Sequence, residues 1–146
     1  MADLFTLRPA RESDWELINY YAYNEGMDNI PSLDNVTVAA NGDDQCVGFL
    51  RLAFSDAGVA HINPVVTYAA WRGFGVGRAL VEDACARNDE IRLVARGKSI
   101  GFYRTLGFVE IPWGDIAPGV TEECDGCPLI EECGPLPMGW KKGAGA

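Results

Sequence analysis

Six consecutive residues, Arg72-Gly73-Phe74-Gly75-Val76-Gly77, have the types and spacing to grip an anion. Glycine at alternate positions removes the Cβ atoms that would screen successive backbone N–H groups, so those donors can converge on one concave point. A helical pattern follows at once, with Leu80, Val81, Ala84 and Cys85 on one face and Asn88 as its stop. It brings the positive end of a helix dipole to the same point, which favours phosphate over a neutral ligand. Spacing then separates the phosphate loops. The dinucleotide fingerprint needs G-x-G-x-x-G, but the glycines here run G-x-G-x-G. A Walker A loop ending at Gly97-Lys98-Ser99 needs a glycine five residues earlier, where Arg92 stands.

Two further groups have reactive side chains. His61 is the single histidine, and an imidazole with an ordinary pKa near 6.5 suits general-base work. Cys124, Cys127 and Cys133 follow a C-x2-C-x5-C spacing. Three thiols so placed bind zinc, with a fourth ligand from Cys46, Cys85, His61, a carboxylate or water, or two form a disulfide, or all are free.

The elements that must position these residues follow from periodicity. Leu4 to Arg8 reads as a strand ending at Pro9, and Ser13 or Asp14 caps a helix with Trp15, Ile18 and Ala22 inward. Asn35 to Ala40 and Cys46 to Phe54 are strands joined by the hairpin signal Asn41-Gly42-Asp43-Asp44. Asp56-Ala57-Gly58 turns into a third strand, Val59 to Tyr68, which gives an antiparallel meander. Pro64 cannot donate a ladder hydrogen bond, so its neighbour is expected to be released locally. After the glycine loop and its helix, Ile91 to Ala95 is a buried strand. A short helix capped by Ser99 carries Ile100, Tyr103 and Leu106, and Gly107 closes it. Strand, helix, strand, helix, strand makes a crossover unit with a parallel pair at its centre. Val109 to Pro112 and Met138 to Lys142 are the last strands.

Arg72 to Gly77 resembles the acyl-CoA pyrophosphate loop Q/R-x-x-G-x-G/A of the GCN5-related N-acetyltransferase (GNAT) superfamily. Phe102-Tyr103-Arg104-Thr105-Leu106-Gly107-Phe108 resembles its second signature, F/L-Y-x-x-x-G-F, and Leu7 to Asp14 is similar to the way many members begin. The resemblance covers roughly residues 1–112, most specifically 65–108. It implies an α/β fold of the α+β type: a mixed, mostly antiparallel sheet with a central splayed parallel strand pair and flanking helices. It also implies one acetyltransferase-like domain over 1–146, with a cysteine-containing insertion at about 113–137 before the last strand.

The implied activity is acetyl-CoA-dependent N-acetylation of a primary amine on a small molecule or peptide; the alternative is a non-catalytic acyl-CoA-binding or metal-sensing module. Cofactor contacts are expected from Val66, Thr67, Arg72, Gly73, Phe74, Gly75, Val76, Gly77, Arg78, Arg96, Ser99 and Tyr103. A backbone N–H near Thr67 is expected to meet the thioester oxygen. The resemblance makes Tyr103 the general acid for the coenzyme thiolate and His61 the base, with Glu25, Asp28 or Glu110 as fallbacks. Arg96 is a departure, because the family often has asparagine seven residues before the tyrosine; an arginine there binds a coenzyme phosphate or pairs with an acid.

At 146 residues, with a hydrophobic share of 48% and a charged share of 23%, the chain has the makings of a real core. Its net charge of −9 argues against nucleic-acid binding. Met1 to Ala10 lacks a charged-then-apolar leader pattern, and no apolar run nears the ~18 residues of a membrane span, so a cytoplasmic protein without a membrane partner is expected. A homodimer remains open. Charge is uneven: seven basic residues face four acidic ones between 72 and 104, whereas 110–133 holds seven acids and no base. The first region suits an anionic cofactor and the second a cationic acceptor.

Overall fold

Among the described residues there is one mixed sheet of seven strands, whose neighbours run in the order Thr6–Pro9, Val36–Ala40, Cys46–Phe54, Ala60–Thr67, Glu90–Ala95, Leu136–Lys141 and Val109–Glu110, with three flanking α-helices. The computed structural model describes residues 4–27, 29–97, 99–117 and 134–143. The strands are β1 (Thr6–Pro9), β2 (Val36–Ala40), β3 (Cys46–Phe54), β4 (Ala60–Thr67), β5 (Glu90–Ala95), β6 (Val109–Glu110) and β7 (Leu136–Lys141). The helices are α1 (Trp15–Asn24), α2 (Val76–Arg87) and α3 (Ser99–Thr105). Among the described residues no helix is long and apolar enough to cross a membrane.

Contacts group the chain into two compact units: residues 1–52 with 64–84, and 53–63 with 85–146. The chain passes between them inside β3 (Leu52/Ala53), inside β4 (Asn63/Pro64) and inside α2 (Ala84/Cys85).

The first unit holds the antiparallel meander. β1 pairs with β2 from Thr6↔Ala40 to Pro9↔Thr37, and β2 pairs with β3 with a register shift at Ala39/Ala40. The hairpin turn is built by Asn41, whose Oδ1 accepts from the N–H groups of Asp43 (2.9 Å) and Gln45 (3.0 Å). Helix α1 buries Ile18, Tyr21 and Ala22 on Val38, Phe49 and Val66. Trp15, expected inward, is instead partly exposed, and Tyr21 fills the face one turn and a half later. Burial of Tyr21 is possible because its hydroxyl donates to the Cys46 carbonyl at 2.8 Å. Asp14 is buried too, but as an ion-pair partner. Its carboxylate accepts from Arg8 Nη1 (2.7 Å) and Nη2 (3.0 Å) and from the Arg11 N–H (2.8 Å). Arg8 and Arg11 also reach Asp44, so β1, the turn before α1 and the β2–β3 hairpin are clipped together.

The second unit is centred on β5. It pairs antiparallel with β7 over six positions, from Glu90↔Lys141 to Ala95↔Leu136, and parallel with β4 over only two, Ala60↔Ile91 and His61↔Arg92. The parallel ladder therefore stops before Pro64, as a strand interrupted by a residue without an N–H requires. β5 alternates, with Ile91, Leu93 and Ala95 buried, and Phe108 and Met138 complete the core. Helix α3 ends in a Schellman cap: Gly107 at φ +93° lets its own N–H donate to Arg104 O (3.1 Å) and the Phe108 N–H to Tyr103 O (3.1 Å).

Candidate functional site

Nine of the expected cofactor residues lie in the first unit, on the end of β4, the glycine loop and the start of α2. Val66 is buried, Thr67 ends the strand, and the Tyr68 N–H donates to Val47 O at 2.9 Å. Between β4 and α2 the chain makes a short 3-10 turn, Ala69–Trp71, and then the loop. Gly73 (φ +89°) and Gly75 (φ +82°) are left-handed, and a Cβ at either would meet no other atom within 4 Å. Glycine is thus demanded by backbone conformation, while the space above it stays open for a ligand. Gly77 has a different job. It lies in the first turn of α2, directly after the two left-handed glycines. The helix itself begins with the Ala79 N–H donating to Gly75 O at 3.0 Å. Left-handed glycines with open space above them, at the start of a 12-residue helix, have the geometry of an anion cradle.

Side chains frame the cradle. Arg72 is ion-paired with Glu25, Arg78 bridges to Glu82 one turn on at 3.2 Å, and Phe74 packs its ring against Trp71 with centroids 5.5 Å apart. Val76 is buried.

Arg96, Ser99 and Tyr103 lie in the second unit, where β5 passes into α3; Ser99 is the first helical residue, its N–H donating to Arg96 O at 2.8 Å. Tyr103 is buried, with its ring held edge-on by Phe102 (5.1 Å) and Phe108 (5.5 Å). Burial pushes the phenol up to about 12, so it stays protonated at neutral pH.

His61 also lies in the second unit, completely buried on β4. Its Nδ1 lies 3.0 Å from Val59 O, and Nε2 accepts the Ala117 N–H at 3.2 Å, which sets the tautomer as Nδ1–H. Burial holds its pKa below the ordinary value, so the ring is neutral. A base needs an open lone pair, and in this arrangement neither ring nitrogen is open to a substrate. Beside it Arg92 donates to Asp115 O at 2.6 Å, so neighbouring positions of the parallel ladder both hold the segment after β6.

Of the fallback bases, Glu25 is on Arg72, Glu110 is exposed on β6, and Asp28 lies outside the described residues. Cys124, Cys127 and Cys133, the expected metal ligands, also lie outside the described residues. Among the described residues no group of three or more His, Cys, Asp or Glu could hold a metal ion. Sequence reasoning missed Gly48 on β3. A Cβ there would come to 2.8 Å from Val76 Cγ1 and 3.0 Å from Val66 O, so β3 leaves out a side chain to let β4 and the cradle's helix approach. The signal available was a glycine inside an otherwise bulky strand pattern, which marks close backbone approach.

Comparison with known proteins agrees with this geometry. The family profile described as Acetyltransferase (GNAT) domain matches residues 32–110, which include the cradle, Tyr103 and His61. The peptidyl-lysine N-acetyltransferase YjaB of Escherichia coli (strain K12) is 38% identical over 74 residues, 49% of this chain and 47% of that protein. The chain thus matches about half the length of this curated relative. Among solved structures, Rv2747 from Mycobacterium tuberculosis, in complex with CoA and NLQ, superposes with a TM-score of 0.75 at 20% identity, over 93% of this chain and 98% of that one. N-acetylglutamate synthase from Neisseria gonorrhoeae, complexed with coenzyme A and N-acetyl-glutamate, has a TM-score of 0.73 at 11% identity, over 94% of this chain and 35% of that one. At those identities the two structures speak for the fold, and the profile, covering more than half of the residues, speaks for descent: the chain belongs to the GNAT acetyltransferase domain family.

Proposed function

We propose that this chain is an acetyl-CoA-dependent N-acetyltransferase whose acceptor is a primary amine, with the lysine side chain of a peptide as the favoured class. The observation that carries the proposal is the cradle at Arg72 to Gly77, with Gly73 and Gly75 left-handed and uncovered at the start of α2. Backbone donors held this way suit the coenzyme pyrophosphate, each charge-assisted hydrogen bond contributing roughly 1.5–3 kcal/mol. Within the same unit Val66, Thr67, Phe74, Val76, Gly77 and Arg78 are assigned to the donor as well, and Arg96 and Ser99 are assigned to it on the family resemblance alone. The match to a peptidyl-lysine N-acetyltransferase supports the acceptor class.

In the reaction the neutral amine attacks the thioester carbonyl, the C–N bond forms, and the C–S bond breaks as the oxyanion collapses. The amine's proton passes to bulk solvent, and the coenzyme leaves as a thiolate that accepts a hydrogen bond from the Tyr103 hydroxyl. With the phenol at about 12 and a thiol near 8.5, full proton transfer runs uphill by about 5 kcal/mol. Tyr103 therefore serves by donating a hydrogen bond to developing charge rather than by surrendering its proton. We read His61 as a positioning residue that fixes the Ile116–Ala117 segment through its Nε2. The C-x2-C-x5-C thiols keep their zinc reading as a separate proposal, checked by metal analysis of the protein with and without triple Cys→Ser substitution.

The test is release of free coenzyme A from acetyl-CoA in the presence of a panel of lysyl peptides and small amines. Thiol release that needs both the donor and a lysyl peptide is expected. Tight acetyl-CoA binding with no turnover on any amine would replace this reading with the non-catalytic acyl-CoA module.

A further inference from the structure

The arginine that opens the glycine loop already holds an anion, and that anion belongs to the chain. Glu25, at the end of α1, pairs its carboxylate with the guanidinium of Arg72, the residue that opens the glycine loop 47 positions later. Helix α1 ends in its own Schellman cap, with Gly26 at φ +75°, the Gly26 N–H on Tyr23 O at 3.0 Å and the Met27 N–H on Ala22 O at 2.9 Å. That cap fixes Glu25. The same helix is anchored toward the loop, because Tyr21 donates to Cys46 O and stacks on Tyr68, four residues before Arg72, with ring centroids 5.1 Å apart. Both side chains remain open to water, at 59% for Arg72 and 38% for Glu25, so the pair is exchangeable.

We propose that Glu25 is the resident counter-ion of the cradle, which a diphosphate-bearing ligand displaces from Arg72 when it binds. The proposal rests on the acyl-CoA reading and deepens it, since it makes the end of α1 a determinant of donor affinity. No covalent step is involved: one carboxylate leaves the guanidinium and one phosphate oxygen takes its place. An exposed ion pair is weak, so the competition lowers donor affinity by about two- to fivefold and does not block binding.

The experiment is calorimetric titration of the full chain with coenzyme A, using wild type, Glu25→Gln, Arg72→Gln and the double variant, with Glu16→Gln on the same helix as a charge control. Glu25→Gln is expected to bind about two- to fivefold tighter, with the gain absent in the Arg72→Gln background and absent in Glu16→Gln. Unchanged or weaker binding by Glu25→Gln overturns the proposal, and so does an equal gain without Arg72, which would mark general charge removal. Wild-type protein that fails to bind coenzyme A would overturn the acyl-CoA reading along with it; wild-type binding without the Glu25→Gln gain overturns this inference alone.

Discussion

Tyr103 is the residue where burial changes the chemistry expected of a side chain. A phenol in water is a modest acid, but desolvation raises this one to about 12, and its ring is gripped between Phe102 and Phe108. The result is a rigid hydrogen-bond donor that remains protonated across the working pH range. Tyr103→Phe keeps the ring packing and removes only the donor. Turnover is expected to fall on the order of 10²-fold while acetyl-CoA affinity stays within twofold, read by steady-state kinetics beside a binding titration. Equal turnover would strip the role from Tyr103. His61 shows the opposite lesson: a lone histidine on the strand before a phosphate loop looks available in one dimension, and its neighbours in space consume both nitrogens.

At the scale of elements, the cradle is a junction of β3, β4 and α2, and Gly48 is where they come closest. A methyl group there meets Val66 O as well as Val76 Cγ1, and the carbonyl belongs to a strand that cannot step aside cheaply. Gly48→Ala is expected to cost about 1–3 kcal/mol, lowering the unfolding midpoint by several degrees. Because the displaced atoms start the loop helix, coenzyme A affinity should fall with it. Thermal unfolding and a coenzyme titration check this, and an unchanged midpoint would show that the strand gives way. The hairpin, α2 and the capped α3 were legible beforehand because each rests on local chemistry: Asn-Gly at a turn, period 3.6, and glycine at φ +93° after Leu106. Trp15 is exposed while Ile18 and Ala22 of its expected face are buried together with Tyr21, since periodicity marks a face of a helix and not which of its turns the sheet covers.

For the whole molecule, stability in acid follows from Asp14. Burial alone would raise its pKa, but the hydrogen bonds and charge of Arg8 and the Arg11 N–H outweigh that and lower it. A carboxylate with a folded pKa below its unfolded value, near 3.9, adds stability that is complete above that value and is lost as pH falls through the folded one. The unfolding midpoint is therefore expected to drop as pH goes from about 5 to 2, and Asp14→Asn should flatten that drop while costing roughly 2–3 kcal/mol at neutral pH. A variant as acid-sensitive as the wild type would place the effect elsewhere. By itself the sequence determined a glycine loop opening a helix, the order of strands and helices, and the family. Those depend on spacing and on local backbone rules, which a linear string contains. Only the tertiary structure decided that His61 is sealed between Val59 and Ala117, that Asp14 is an ion-pair anchor, and that Glu25 already occupies Arg72. The His61–Ala117 and Arg72–Glu25 contacts join residues 56 and 47 positions apart, and the Arg8–Asp14 pair, six apart, needs β1 and the start of α1 held side by side; such burial and pairing leave no local mark in the sequence.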